Sequence, residues 1–283
     1  MSPKRVLSLR PPAKLNRFLH IIGRRADGYH LLQTAFELID WCDELEIADR
    51  DDGIVARRGG LAEVAPEADL VVRAARRLQR LAGADHGCTL TLRKHVPSGA
   101  GLGGGSADAA ATLLGLNQLW GLNLAVPELI RIGAELGADV PVFIGQQPAF
   151  AAGVGEILTP LPHVPRTYAV IFPGVALATG PMFTDPALRR DCAPIDPRDY
   201  RNDQPGDNVF TVLAQREPAV RAAMDWLQER LGNAHLSGSG SAVYAQTPDL
   251  DSAQRAVEGL PLGWIGRAAS SITNWFDKIS PGA

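Results

Sequence analysis

Between Pro97 and Ser106 this chain places five glycines in ten residues, Pro-Ser-Gly-Ala-Gly-Leu-Gly-Gly-Gly-Ser, and runs straight into the apolar, alanine-rich stretch 107–114. So many glycines carry a backbone entropy cost that an ordinary turn avoids. The alternating stretch 88–92 before the run reads as a strand, and the alanine-rich stretch after it reads as a helix. A glycine loop that opens a helix aims several unpaired N–H groups at one point, at the positive end of the helix dipole. Such a point holds an anion, most often a phosphate.

The loop contains a literal G-x-G-x-x-G at Gly99, Gly101 and Gly104, between a strand and a helix. A dinucleotide fold would also need an acidic residue ending the next strand about 20 residues on. Residues 106–137 instead read as two helices with no strand between them. No Gly-Lys-Ser/Thr follows the glycines, so this is not a Walker A loop. The chain has no His-Arg-Asp and no Asp-Phe-Gly, which excludes the protein-kinase set. The phosphate loop therefore belongs to another class.

The rest of the chain narrows the setting. A net charge of −3 gives no global attraction for nucleic acid or an anionic membrane, so a phosphate ligand has to be held locally. Cys42, Cys88 and Cys192 lie far apart and form neither a disulfide framework nor a C-x-x-C pair. They read as small buried residues in a reducing cytoplasm. No signal peptide is expected, and no apolar run is long enough to span a membrane.

Residues 15–22 read as a strand ending at Gly23, with turns at Asp27-Gly28 and Asp51-Asp52-Gly53 and a strand at 45–47. The apolar spacing over 70–81 predicts a helix, and further helices are expected at 106–120, 127–137, 218–231 and 252–260. Residues 168–172 read as a strand closed by Pro173-Gly174, and 179–208 as irregular connection. A second glycine loop, Leu-Ser-Gly-Ser-Gly-Ser at 236–241, runs into a strand. At 283 residues two domains are expected, divided as 1–160 and 161–283.

The pattern Pro-x-x-x-Gly-Leu-Gly-Gly-Gly-Ser resembles the phosphate loop of the GHMP kinases, the superfamily of galactokinase, homoserine kinase and mevalonate kinase. Further segments carry the likeness: Pro-Ala-Lys-Leu-Asn at 12–16, Arg-Ala-Asp-Gly-Tyr-His at 25–30, Leu-Gly-Ala-Asp-Val-Pro-Val-Phe at 136–143, Gly-Val-Gly-Glu-Ile-Leu at 153–158 and the loop at 236–240. They are similar above all to the branch acting on a cytidine-diphosphate-linked methylerythritol in the non-mevalonate isoprenoid route. The resemblance implies a two-domain α+β fold, with an N-terminal domain of the S5-domain-2-like kind and a ferredoxin-like C-terminal domain. It implies an ATP-dependent kinase that phosphorylates the 2-hydroxyl of that sugar alcohol. ATP would lie on Pro97, Ser98, Gly99, Ala100, Gly101, Leu102, Gly103, Gly104, Gly105, Ser106 and Ala107, with Mg²⁺ carried on its phosphates rather than in a protein metal site.

Phosphoryl transfer needs the γ-phosphoryl held in line, its charge neutralised and the acceptor hydroxyl relieved of its proton. Asp139, after the helix stop at Gly137, is expected as the base. Its apolar flanks predict burial and a raised pKa. An Asp beside a helix end is ordinarily a cap, and the resemblance reverses that reading. Lys14 is expected as its electrostatic companion. The resemblance places Asn16, Tyr29, His30, Phe36, Thr179 and Phe183 around the cytidine diphosphate moiety, where an aromatic face can stack on a pyrimidine. Three positions depart from the family pattern. Ala107 replaces a serine, leaving Ser106 to cap the helix; Asp69 replaces an asparagine near the nucleotide base; and Ser-Gly-Ser-Gly replaces a Thr-Gly variant in the second loop. The partner expected is the small-molecule acceptor, with no nucleic acid and no membrane, bound by a monomer or a homodimer. Two competing readings are a GHMP-type kinase with a homoserine or mevalonate-like acceptor, and a non-enzymatic nucleotide-binding module. Tyr29, His30 and Phe183 argue against the first; Lys14 and Asp139 argue against the second.

Overall fold

The computed structural model describes residues 5–83, 85–203 and 205–276. In chain order its strands are β1 (Val6–Leu9), β2 (Pro12–Arg24), β3 (His30–Cys42), β4 (Glu44–Arg50), β5 (Val55–Gly59), β6 (Gly87–Arg93), β7 (Ala149–Ala152), β8 (Ile157–Pro160), β9 (Thr167–Phe172), β10 (His235–Leu236), β11 (Val243–Thr247) and β12 (Ile265–Ser270). The helices are α1 (Leu70–Ala82), α2 (Gly104–Leu119), α3 (Val126–Leu136), α4 (Val140–Gly145), α5 (Thr179–Thr184), α6 (Thr211–Ala214), α7 (Pro218–Leu231) and α8 (Leu250–Ala256).

Three four-stranded sheets result, ordered β1-β4-β6-β5, β2-β3-β7-β8 and β10-β11-β9-β12. All pairings are antiparallel except β5 with β6, the pair joined through α1. The first sheet shares a core with α1, α2, α3 and α4, and the third shares one with α6, α7 and α8. The second sheet lies between them. Ala13, Leu15, Ile39 and Trp41 from its long strands pack with Tyr168, Val170 and Tyr244 of the third sheet. Among the described residues no helix is long and apolar enough to cross a membrane.

The expected helices at 70–81 and 218–231 match α1 and α7, and Pro127 stands in the first turn of α3 as expected. The helix expected at 252–260 lies earlier, because Asp249 caps it by accepting the Ser252 N–H at 2.7 Å. Residues 179–208 are not wholly irregular, since α5 lies within them. The strand expected at 15–22 is the middle of the thirteen-residue β2, and its equally long partner β3 has no polar–apolar alternation to announce it. Both strands are covered on both faces, so the period-two signal is lost.

That sandwiching matters for function. On β3 the even-numbered residues His30, Leu32, Thr34 and Phe36 face one cleft. On β2, Lys14 and Asn16 face the same cleft, and the register then slips between Asn16 and Leu19. Arg17, next to Asn16, points by strand alternation to the far side, toward Tyr168 and Gln246 of the third sheet, and the slip brings Leu19 back to the cleft. There Glu37, fully buried, meets Arg166 at 2.9 Å and Arg17 at 3.6 Å, while the Tyr168 hydroxyl donates to it at 3.2 Å. The second and third sheets are thus tied by a buried ionic cluster. After β12 the chain crosses back. Ile272 N–H donates to Leu38 O, Asn274 N–H to Gln146 O and Trp275 Nε1 to Phe143 O, bracing α4 from outside.

Removing the negative charge of Glu37 leaves two buried guanidinium groups without a counter-ion. Glu37→Gln should therefore cost about 3–5 kcal/mol of stability in urea unfolding, while a surface control such as Glu63→Gln should shift the midpoint little.

Candidate active site

The cleft between the second sheet, α5 and the two glycine loops encloses about 830 Å³. A smaller cavity of about 410 Å³ lies over the first glycine loop and shares Gly99, Gly101 and Ser106 with it. Two compartments joined at a glycine loop suit two ligands meeting at a phosphate.

The loop is held from both sides by backbone bonds. Lys14 N–H on β2 donates to Leu102 O at 2.9 Å, and Ala242 N–H beyond the second glycine loop donates to Ala100 O at 2.9 Å. Gly101 has φ +74°, and a Cβ there would lie 2.2 Å from Ser237 O. Gly103, also at φ +74°, is the N-cap of α2, and no side chain caps that helix. Its first N–H groups are therefore offered to the cavity. The expectation that Ser106 caps the helix is not met: Gly103 is the N-cap, and Ser106 lies within the first turn and lines both cavities.

Pro97, Ser98, Gly99, Ala100, Gly101, Leu102, Gly103, Gly104, Gly105 and Ser106 all line the smaller cavity. Ala107 stands apart. It is fully buried, its N–H bonds to Gly103 O at 2.9 Å, and it lines neither cavity. Asp69 lines the smaller cavity with both carboxylate oxygens engaged, one accepting the Val71 N–H that starts α1 and the other paired with Arg57 at 2.5 Å.

At the junction sits Lys14, only 3% exposed. Its ammonium donates to Asn16 Oδ1 and to Gly101 O at 2.9 Å, and it lies 3.3 Å from Asp139 Oδ2. The Phe36 ring centroid lies 5.4 Å away. Two oxygens accept its protons, and the Asp139 carboxylate beside it balances its charge. Asp139 stands at the N-cap position of α4 but its side chain caps nothing, so the ordinary role of such an Asp is not the one adopted. Nor is it buried as expected, since 34% of its side chain opens to the cleft.

The farther end of the cleft is aromatic. His30 and Phe183 stack with centroids 5.1 Å apart and planes at 27°, and Phe210 meets Phe183 edge-on at 5.0 Å. Burial, then the charges of Arg190 and Arg24, lower the His30 pKa and keep the ring neutral at pH 7. Tyr29 is 65% exposed on the turn before β3. Thr179 Oγ1 bonds to Ser239 Oγ at 2.7 Å, joining α5 to the second glycine loop. Asn16 donates through Nδ2 to Thr34 Oγ1 at 2.9 Å. All six residues expected around the cytidine moiety line this one cleft.

One cluster escapes the sequence reading. Lys94 Nζ lies between the buried carboxylates of Asp43 and Asp108, 2.6 Å from the latter. The other oxygen of Asp43 accepts the N–H groups of His95 and Val96, leading into the loop. No spacing links residues 43, 94 and 108, and only the fold assembles them. Two carboxylates share one ammonium, and burial pushes the Asp108 carboxyl up to about 7 against the pull of Lys94. No group of three or more His, Cys, Asp or Glu among the described residues could cage a metal ion.

Known proteins fit this geometry. A model of the GHMP kinases N terminal domain matches residues 69–147, and one of the GHMP kinases C terminal matches residues 199–265. The 4-diphosphocytidyl-2-C-methyl-D-erythritol kinase of Cupriavidus taiwanensis is 46% identical over 268 residues, covering 93% of this chain and 92% of its own. That of Aromatoleum aromaticum is 46% identical over 261 residues, covering 92% of each chain. A crystal structure of a 4-(cytidine 5'-diphospho)-2C-methyl-D-erythritol kinase superposes with a TM-score of 0.82 at 32% identity, over 94% of this chain and 99% of that one. A homoserine kinase from Cytophaga hutchinsonii, at 17% identity and a TM-score of 0.66 over 96% of each chain, shares the fold.

A folded-state pKa of about 7 against 3.8 means that the folded chain holds a proton on Asp108 that the unfolded chain has released. Stability drawn from that proton is present below 3.8 and lost as pH rises toward 7. Asp108→Asn should flatten the dependence of unfolding free energy on pH across this window, as measured by urea titrations at a series of pH values.

Proposed function

This chain belongs to the 4-diphosphocytidyl-2-C-methyl-D-erythritol kinases of the GHMP superfamily, small-molecule kinases of the α+β two-domain fold, and we propose that it transfers the γ-phosphoryl of ATP to the 2-hydroxyl of that acceptor with Asp139 and Lys14. The observation that carries the assignment of residues is the Lys14–Asp139 pair at 3.3 Å, which lines the larger cleft and is tied through Lys14 to Gly101, a residue both cavities share.

In this reading the nucleotide lies over the loop 97–106, its phosphates against the N–H groups that open α2. Mg²⁺ arrives on those phosphates. The acceptor fills the larger cleft, with its cytosine at the aromatic end formed by Tyr29, His30 and Phe183, and Phe36 lies nearer the junction, beside Lys14. Asn16 and Thr179 supply polar contacts along the way. Asp139 takes the hydroxyl proton, the freed oxygen bonds to the γ-phosphorus, and the β–γ bridging oxygen leaves with ADP. Lys14 pairs with the Asp139 carboxylate and offsets the charge gathering on the transferred group. Ala107 is not included among the nucleotide contacts. The division at residue 160 follows the same reading, since the second sheet ends with β8 and the third begins with β9.

Asp139→Asn keeps the shape and removes the base. Turnover should fall about 10²–10⁴-fold, while ATP affinity by calorimetry stays near wild type. Near-normal turnover would overturn the role of Asp139. In a panel of acceptors, the cytidine-diphosphate compound should be phosphorylated well above homoserine and mevalonate, and the reverse order would overturn the acceptor. Gly101→Ala should fold yet lose nucleotide affinity, because its Cβ would be driven into the Ser237 carbonyl and displace the loop.

A further inference from the structure

The aromatic end of the cleft depends on a residue that does not line it. Phe183 comes from α5, six residues long and set in a connection with almost no regular structure. A segment of this kind has few ladder bonds to fix it, so its side chains need another anchor. Arg190 supplies one. It folds back on the end of α5, donating through Nη2 to Phe183 O at 2.8 Å and Asp185 O at 2.7 Å, and through Nη1 to Leu188 O at 2.9 Å. The Asp185 carboxylate is already engaged by Arg216 at 2.5 Å, so the Arg190 fork meets main chain instead. A planar guanidinium holds its acceptors through separate nitrogens of one rigid fork, a geometry that the compact ammonium of a lysine does not reproduce. One of the three belongs to Phe183 itself, whose ring stacks on His30 and meets Phe210 edge-on.

We propose that Arg190 is a positioning residue for recognition of the acceptor's base. It fixes the main chain over 183–188, and with it the tilt at which the Phe183 ring faces the cleft, without touching the acceptor. The inference rests on the assignment of that end of the cleft to cytidine. It predicts an effect confined to one substrate, since the nucleotide cavity over the first glycine loop shares no residue with the segment 179–190.

The test is steady-state kinetics on wild type, Arg190→Met and Arg190→Lys, each also in a Phe183→Ala background. Arg190→Met should raise KM for the cytidine-diphosphate acceptor roughly tenfold, with kcat and the KM for ATP close to wild type. Arg190→Lys should fall between the two. In the Phe183→Ala background Arg190→Met should add nothing further, because the ring it positions is gone. Should Arg190→Met fail to fold, Arg190→Lys carries the same comparison. An unchanged acceptor KM, an equal rise in KM for ATP, or a penalty that persists without Phe183 would each overturn the inference and leave the functional reading standing. A wild-type enzyme that does not phosphorylate the cytidine acceptor would overturn that reading and the inference with it.

Discussion

The Lys14 ammonium meets three oxygens from three separate parts of the chain: its own strand through Asn16, the phosphate loop through Gly101 and the helix junction through Asp139. A cation 3% exposed is costly to bury unless every donor is matched, so these partners are fixed by the same requirement that fixes the lysine. The Gly101 carbonyl is itself shared, accepting also from Ser237 Oγ at 2.9 Å. One peptide unit thereby links the strand with the proposed catalytic lysine, the glycine-rich loop and the loop from the C-terminal half. A cleft made of pieces far apart in sequence keeps its shape because these pieces meet at one carbonyl.

The two glycine loops differ in what they do. The first opens a sixteen-residue helix and presents uncapped N–H groups. The second opens no helix: it packs against the first and leads into β11. Its closeness explains why Gly101 admits no side chain, a constraint arising from tertiary contact as well as from backbone angle. The Lys94 cluster acts beneath the same loop, joining its incoming backbone through Asp43 to α2 through Asp108. The loop is therefore anchored at its entry, its middle and its exit.

Much of this site is legible in the sequence because its local signals are strong. Glycine density marks the loop, helical spacing marks α1 and α7, and a short motif marks Lys14. The long strand β3 is not legible, since burial on both faces removes the alternation that would announce it. The behaviour of Asp139 is also hidden. Its flanking residues are apolar and are buried in α4, yet the backbone turns its carboxylate outward to the cleft. Arg190 reads as one arginine among several in a polar connection, and only the fold brings its guanidinium to the Phe183 carbonyl. What sequence conveys here is local pattern; what it withholds are contacts between distant segments.

The segment after β12 returns to the N-terminal half, where Trp275 and the Asn274 amide hold the end of α4. The helix that begins immediately after Asp139 is thus completed by residues 274 and 275, which follow the last strand of the third sheet. During synthesis on a ribosome the phosphate loop and its sheet emerge before residues 272–275, so α4 lacks this outer brace until that later segment has appeared. The proposed base therefore comes under full mechanical support only after both halves of the cleft have emerged, and the nucleotide shelf assembles before the group beside it is locked.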